Sequence, residues 1–132
     1  MRKSSLDTNI LLRLLLKDSP EQHMAARRLI EQPDMSFLVS DTAIIELVFV
    51  LERYYEFSRV LIKEAVEALM GIACISLRSG VIREALGTYV SFPKLSFEDC
   101  YLVEEAAANN AVPLWTFDKK LVSQVEHALI PE

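Results

Sequence analysis

Short apolar runs alternate with longer helical patterns, and this alternation most restricts what the 132-residue chain can fold into. Seven segments predict helices: Thr8–Leu16, Pro20–Glu31, Thr42–Glu56, Arg59–Met70, Ser79–Tyr89, Ser96–Asn109 and Lys119–Val125. Five segments predict strands: Arg2–Leu6, Ser36–Ser40, Ile72–Leu77, Pro113–Thr116 and Ala128–Ile130. This order predicts an α/β fold, a three-layer α/β/α sandwich whose sheet is mostly parallel and has about five strands.

Length and composition favour a single domain over residues 1–132, with no linker or repeat. Hydrophobic residues make up 52% of the chain and charged residues 25%, as in a well-packed globular protein. Cys74 and Cys100 fit neither a disulfide framework nor a zinc spacing, which favours reduced thiols. The longest uncharged run, residues 106–117, is too short to span a bilayer, and no signal-peptide cleavage site follows Met1. We therefore expect a cytoplasmic protein without a membrane segment.

The net charge of −5 bears on nucleic-acid binding, because proteins that bind through phosphate contacts alone are usually basic. Such binding here would need a bound cation, a partner or a local basic patch. The candidate basic residues are Arg13, Lys17, Arg27, Arg28, Lys119 and Lys120. The alternative is that they are solvated helix faces; Lys119 and Lys120 are the better candidates because they directly follow Asp118.

Four carboxylates lie where predicted strands end or helices begin. Asp7 follows the first strand, and Asp118 follows the fourth. Asp99 is near the start of a helix, and Glu46 is one turn into the helix after the second strand. Because functional crevices in parallel sheets lie beyond the carboxyl ends of the strands, we expect all four at one end of the sheet.

Chemistry favours a divalent cation for such a group of carboxylates. Two unit charges about 4 Å apart repel by roughly 4 kcal/mol at an effective dielectric of 20, and a bound cation offsets that repulsion. Glu46 lies among apolar neighbours, where burial of its charge would be costly without a partner or metal. Oxygen ligands and the absence of a His/Cys cluster in the sequence indicate Mg²⁺ or Mn²⁺ rather than zinc. A metal of this kind would let an acidic protein act on a phosphodiester.

Structural roles also explain each carboxylate taken alone. Asp7 and Asp118 precede helices and fit as N-caps. The segment 96–99 resembles a capping box with Asp99 at the third helical position. Glu46 could pair with an arginine or lysine distant in sequence. These alternatives remain open at this point.

Four segments, in this order and spacing, resemble the conserved motifs of the PIN-domain family. They are Leu6-Asp7-Thr8-Asn9-Ile10-Leu11-Leu12-Arg13, the stretch Val39–Leu51 with Glu46-Leu47, Phe97-Glu98-Asp99-Cys100-Tyr101-Leu102 and Leu114-Trp115-Thr116-Phe117-Asp118-Lys119-Lys120-Leu121. The resemblance covers essentially the whole chain. The compact length of the chain and the helix over residues 21–30 are most similar to those of VapC-type toxins.

The resemblance implies a Mg²⁺- or Mn²⁺-dependent endoribonuclease with an RNA substrate, a homodimeric state and a cognate antitoxin. By motif position, Asp7 and Asp99 would be the principal metal ligands. Glu46 would complete that site and help position the attacking water, and Asp118 would support a second metal or the outer shell. Asn9 and Thr116 would be outer donors that orient the carboxylates.

Two other functions compete with the nuclease. One is a PIN-like module that binds RNA or protein without catalysis, although its carboxylates would then have no need to be intact. The other is a flavodoxin-like phosphate binder, which lacks its Gly-rich loop here because glycine occurs only at positions 71, 80 and 87.

Residues outside the motifs carry further expectations. The apolar excess on the Thr42–Glu56 helix favours a subunit or antitoxin contact over plain burial. We expect Trp115 in the core, and His23 and His127 at the surface.

Overall fold

The computed structural model describes residues 2–132, and the chain divides into two compact units, residues 1–78 and 79–132. The described part contains seven helices and five strands, and every strand pair is parallel. The predicted α/β class is therefore confirmed.

The first unit contains a three-stranded parallel sheet of order β1-β2-β3. Its elements are β1 (Arg2–Ser5), α1 (Thr8–Leu15), α2 (Pro20–Ile30), β2 (Met35–Leu38), α3 (Asp41–Arg53), α4 (Arg59–Met70) and β3 (Ile75–Ser76). Side-chain oxygens of Asp7, Ser40 and Ser58 accept hydrogen bonds from the first turns of α1, α3 and α4, which explains where these helices begin. Phe37 of β2 and Leu47 of α3 are fully buried and lie in the core of this unit.

The second unit consists of α5 (Ser79–Ser91), α6 (Phe97–Ala108), β4 (Leu114–Trp115), α7 (Lys119–Gln124) and β5 (Ala128–Leu129). In its core, the rings of Tyr89 and Phe97 meet edge to face with centroids 5.6 Å apart. Helix α6 ends as predicted at Asn109-Asn110, where Asn110 has a φ of 54°. The amide of Ala111 then donates to the carbonyl of Ala106 over 2.9 Å, which closes the helix with a Schellman motif.

The sheet differs from the prediction in how its strands are grouped. Five strands are present in the described residues, but they form one three-stranded sheet and a separate β4-β5 pair rather than one sheet. All four residues of β1 are exposed, and β4 and β5 have two residues each. The exposed β1 offers little apolar surface, and strands of two residues offer few backbone hydrogen bonds, with which to extend a sheet.

Two burial predictions are wrong. Trp115 is 61% exposed rather than in the core. Successive side chains of a strand lie on opposite faces, and in β4 the neighbouring Leu114 takes the half-buried face. His23 is buried rather than at the surface, and its Nδ1 lies 2.7 Å from the carbonyl oxygen of Arg13. That carbonyl belongs to the last turn of α1, where helical partners are missing, so the imidazole of His23 satisfies it. His127 is exposed, as predicted.

No helix within residues 2–132 is long and apolar enough to cross a membrane.

Candidate functional site

A cavity of about 820 Å³ opens in the first unit where β1 leads into α1 and β2 leads into α3. Both Asp7 and Glu46 line it. The other lining residues are Leu6, Thr8, Asn9, Leu12, Arg13, Ser40, Thr42, Ala43, Val50, Tyr54 and Tyr55. The cavity therefore lies beyond the carboxyl ends of two neighbouring parallel strands, where the topology predicts a functional crevice.

Backbone pairing brings the two strand-to-helix turns together. β1 pairs with β2 in a register that places Ser5 opposite Leu38, and the amide of Leu6 continues the ladder to the carbonyl of Leu38 over 3.0 Å. Beyond the strands, the buried hydroxyl of Thr8 donates to the carbonyl of Ala43 over 3.1 Å. This bond joins the first turn of α1 to the first turn of α3, and so holds the two carboxylate-bearing helices at one cavity.

Asp7 is the N-cap of α1, and one oxygen of its carboxylate accepts a hydrogen bond from the amide of Ile10 over 3.1 Å. The capping role expected for Asp7 is thus confirmed. Its second carboxylate oxygen has no hydrogen-bond partner among residues 2–132, and the side chain is exposed in the cavity. Capping therefore orients the carboxylate and leaves one oxygen available to a ligand.

Glu46 is exposed, so the expected cost of burying its charge does not arise. Its neighbours Ile44 and Leu47 are fully buried on the other side of α3, whereas Glu46 faces the cavity. It forms no ion pair or hydrogen bond with any residue in the range 2–132, so the arginine or lysine partner considered from the sequence is not found there.

The donors around the cavity suit a hard cation. Asp7, Asn9, Thr42 and Glu46, whose side chains carry carboxylate, amide or hydroxyl oxygens, line it, and no histidine or cysteine does so within the described chain. Among residues 2–132, no three or more His, Cys, Asp and Glu side chains are grouped to hold a metal. Mg²⁺ is nevertheless bound in many proteins by one or two carboxylates together with water and substrate phosphate. The residues present therefore fit Mg²⁺ or Mn²⁺ by the type of their donor atoms.

The second unit carries the other two predicted carboxylates at helix starts. Asp99 lies in the first turn of α6, where its amide donates to the hydroxyl of Ser96 over 3.1 Å, which is one of the two bonds of the predicted capping box. The return bond from the Ser96 amide to the Asp99 carboxylate is not formed among residues 2–132. Asp118 is the N-cap of α7 and accepts from the amides of Lys120 and Leu121. The hydroxyl of Thr116 accepts from the amide of Asp118 over 3.0 Å, so Thr116 contacts the backbone of that residue and not its carboxylate.

The candidate basic residues occupy different places. Arg13 lines the cavity, whereas Lys17 and Arg27 line a separate groove of the first unit between α1, α2 and α4. Lys119 and Lys120 are exposed in the first turn of α7. Of the six, Arg13 is the one that shares a cavity with candidate metal ligands.

Sequence reasoning missed the two tyrosines of the cavity, Tyr54 and Tyr55. A usable signal was present, because Thr42, Glu46, Val50 and Tyr54 follow one another at intervals of four residues and therefore share one face of α3. All four line the cavity.

Fold and site together define an α/β protein with an acidic, oxygen-lined cavity at the carboxyl ends of parallel strands. The family profile described as PIN domain matches residues 5–127. The chain therefore belongs to the PIN-domain family, whose members are generally nucleases that use divalent metals such as Mg²⁺. A search of curated proteins finds no significant match to the chain.

Proposed function

We propose that this protein is a Mg²⁺- or Mn²⁺-dependent endoribonuclease, the VapC-type toxin of a toxin–antitoxin pair. The observation that carries the proposal is that Asp7 and Glu46, from two different family motifs, line one cavity without a cationic partner for Glu46. Two carboxylates at one cavity, of which Glu46 has no partner among residues 2–132 and Asp7 keeps one oxygen unused by its cap, favour a shared ligand over purely structural roles.

In the proposed mechanism, Asp7 and Glu46 would hold the cation. When bound, such an ion supplies positive charge that polarises a phosphoryl oxygen and offsets charge developing on the leaving oxygen. Asp7 would bind the ion through the oxygen that its cap leaves available, because the hydrogen bond from Ile10 holds the other oxygen and orients the carboxylate. Glu46 positions the attacking water and accepts its proton at a carboxylate oxygen.

We further propose that Asp99 and Asp118 serve the same reaction, Asp99 as a principal ligand and Asp118 as an outer or second-metal ligand. Their support is their place in the matched family region, residues 5–127. Asn9 and Thr116 would act as outer donors that steady these groups.

The proposed partners are an RNA substrate, a cognate antitoxin and a second copy of the chain, in a single-domain cytoplasmic protein. Support comes from an exposed aromatic group at the end of α3. Phe49 is 50% exposed and Tyr54 74% exposed; their rings pack edge to face, and the guanidinium of Arg53 lies 5.6 Å from the Phe49 centroid. Apolar side chains left at the surface in this way favour a protein contact.

The test is cleavage of total cellular RNA by purified protein, freed of any antitoxin, in Mn²⁺ or in EDTA. We expect discrete fragments in Mn²⁺ alone, and at least about a 100-fold loss of rate in Glu46→Gln and in Asp99→Asn, as for removal of a catalytic base or ligand. Glu64→Gln is the matched control, because Glu64 is an exposed glutamate of α4 away from the cavity. RNA bound but left intact in every lane would favour the non-catalytic binding module instead.

A further inference from the structure

Arg13 is the only arginine, lysine or histidine that lines the Asp7–Glu46 cavity within residues 2–132. Its side chain is only 14% exposed, although it carries a full positive charge. Asp7, the N-cap of α1, and Arg13, in the last turn of the same helix, therefore line one cavity.

A closed ring of hydrogen bonds holds this guanidinium in place. Nη1 of Arg13 donates to Oδ1 of Asp18 over 2.6 Å, and Nη2 donates to the hydroxyl of Tyr55 over 3.3 Å. The Tyr55 hydroxyl in turn donates to Oδ2 of Asp18 over 2.9 Å. Three segments of chain thus fix the orientation of one arginine head group at the cavity wall.

The ring does not use all the donors of Arg13. A guanidinium has five N–H groups in a planar fork, and the hydrogen bonds among residues 2–132 engage one on each Nη. Nε is shielded from solvent and has no partner in the described chain. The second hydrogens of Nη1 and Nη2 have no partner among residues 2–132, and such a fork matches the oxygens of a phosphate that enters the cavity lined by Arg13.

We propose that Arg13 is an RNA-phosphate-binding residue, positioned for that role by Asp18 and Tyr55. This inference rests on the proposed function and adds a residue to it. An RNA strand that approaches the cavity meets the negative charges of Asp7 and Glu46, and a fixed arginine beside them gives the strand a favourable contact that does not depend on bound metal.

The experiment measures binding of a short, end-labelled RNA by fluorescence anisotropy in EDTA, over a range of salt concentrations. We expect Arg13→Gln to weaken binding about 10-fold or more, as for loss of a charge-assisted hydrogen bond. The slope of log affinity against log salt should fall by about 0.7, the value for one phosphate contact to a single strand. Arg13→Lys should restore the slope but not the full affinity, because lysine keeps the charge and lacks the fork.

Arg59→Gln is the matched control, since Arg59 is also mostly buried and paired with a carboxylate, Glu52, but lies outside the cavity. It should leave the slope unchanged. Tyr55→Phe removes two bonds of the ring without a change in charge; it should lower the affinity and leave the slope unchanged. If Arg13→Gln folds poorly in a melting experiment, Arg13→Lys and Tyr55→Phe decide the matter, and wild-type affinity in both overturns the proposal.

Equal slopes and affinities for wild type and Arg13→Gln would also overturn it. That result, with wild-type protein that still binds and cleaves RNA, leaves the nuclease assignment standing. Wild-type protein that neither binds nor cleaves RNA would overturn the proposed function and this inference together.

Discussion

Replacement of Asp7 separates the two roles that the structure gives this residue, the cap of α1 and a metal ligand. In Asp7→Asn, the amide oxygen can still accept from Ile10, because asparagine caps helices about as well as aspartate. The lost charge at the helix start costs about 0.3–1 kcal/mol, and relief of repulsion from Glu46 opposes that loss. In Asp7→Ala the cap itself is lost, at a further cost of about 1 kcal/mol.

These free energies convert into melting temperatures. For a chain of this size, 1 kcal/mol corresponds to about 3–5 °C, between the values for smaller and larger domains. In EDTA we therefore expect Asp7→Asn to melt close to wild type and Asp7→Ala to melt about 3–5 °C below Asp7→Asn. A cation at 100 times its Kd stabilises the native state by about 2.7 kcal/mol, so Mn²⁺ should raise the wild-type melting temperature by about 8–13 °C. Both variants should lose most of that increase.

The assay is differential scanning fluorimetry with an Mn²⁺ titration, and Ser58→Ala is its control. Ser58 caps α4 through a 3.2 Å bond from Leu61 and does not line the cavity, so its removal should lower stability but keep the full Mn²⁺ response. A full Mn²⁺ response in Asp7→Asn would refute the ligand role. Equal melting of the Asn and Ala variants in EDTA would refute the capping estimate.

Two further predictions concern the hydrogen bond between α1 and α3 and the exposed surface of α3. In urea denaturation, Thr8→Val should lower the free energy of unfolding by about 1–3 kcal/mol, because it removes the buried hydrogen bond to Ala43. Thr42→Val, at an exposed position, should change it by less than about 0.5 kcal/mol. Equal effects of the two substitutions would show that the hydrogen bond is not stabilising. Phe49→Ser should shift the chain from dimer to monomer in sedimentation velocity with little loss of folding stability, because half of the ring is exposed; an unchanged sedimentation coefficient would exclude this surface from the dimer contact.

Much of this molecule could be predicted from local pattern. Helix starts at Asp7, Ser96 and Asp118 follow from the preference of short polar side chains for the N-cap, a local interaction that needs no tertiary context. The end of α6 at Asn110 likewise reflects the tolerance of asparagine for positive φ. The placement of Asp7 and Glu46 beside one cavity follows from parallel pairing of the two strands that precede them.

Other features depend on contacts between segments that are distant in the chain. The exposure of Glu46 is decided by which face of α3 packs into the core, and a run of apolar neighbours does not reveal that face. His23 is buried because the last turn of α1 presents it with an unpaired carbonyl. The Arg13–Asp18–Tyr55 ring joins residues up to 42 positions apart. The sequence by itself determined the elements, their caps and the candidate carboxylates, since these depend on neighbours within a few residues. Tertiary structure alone decided which side chains meet, because only packing brings distant segments within hydrogen-bond distance.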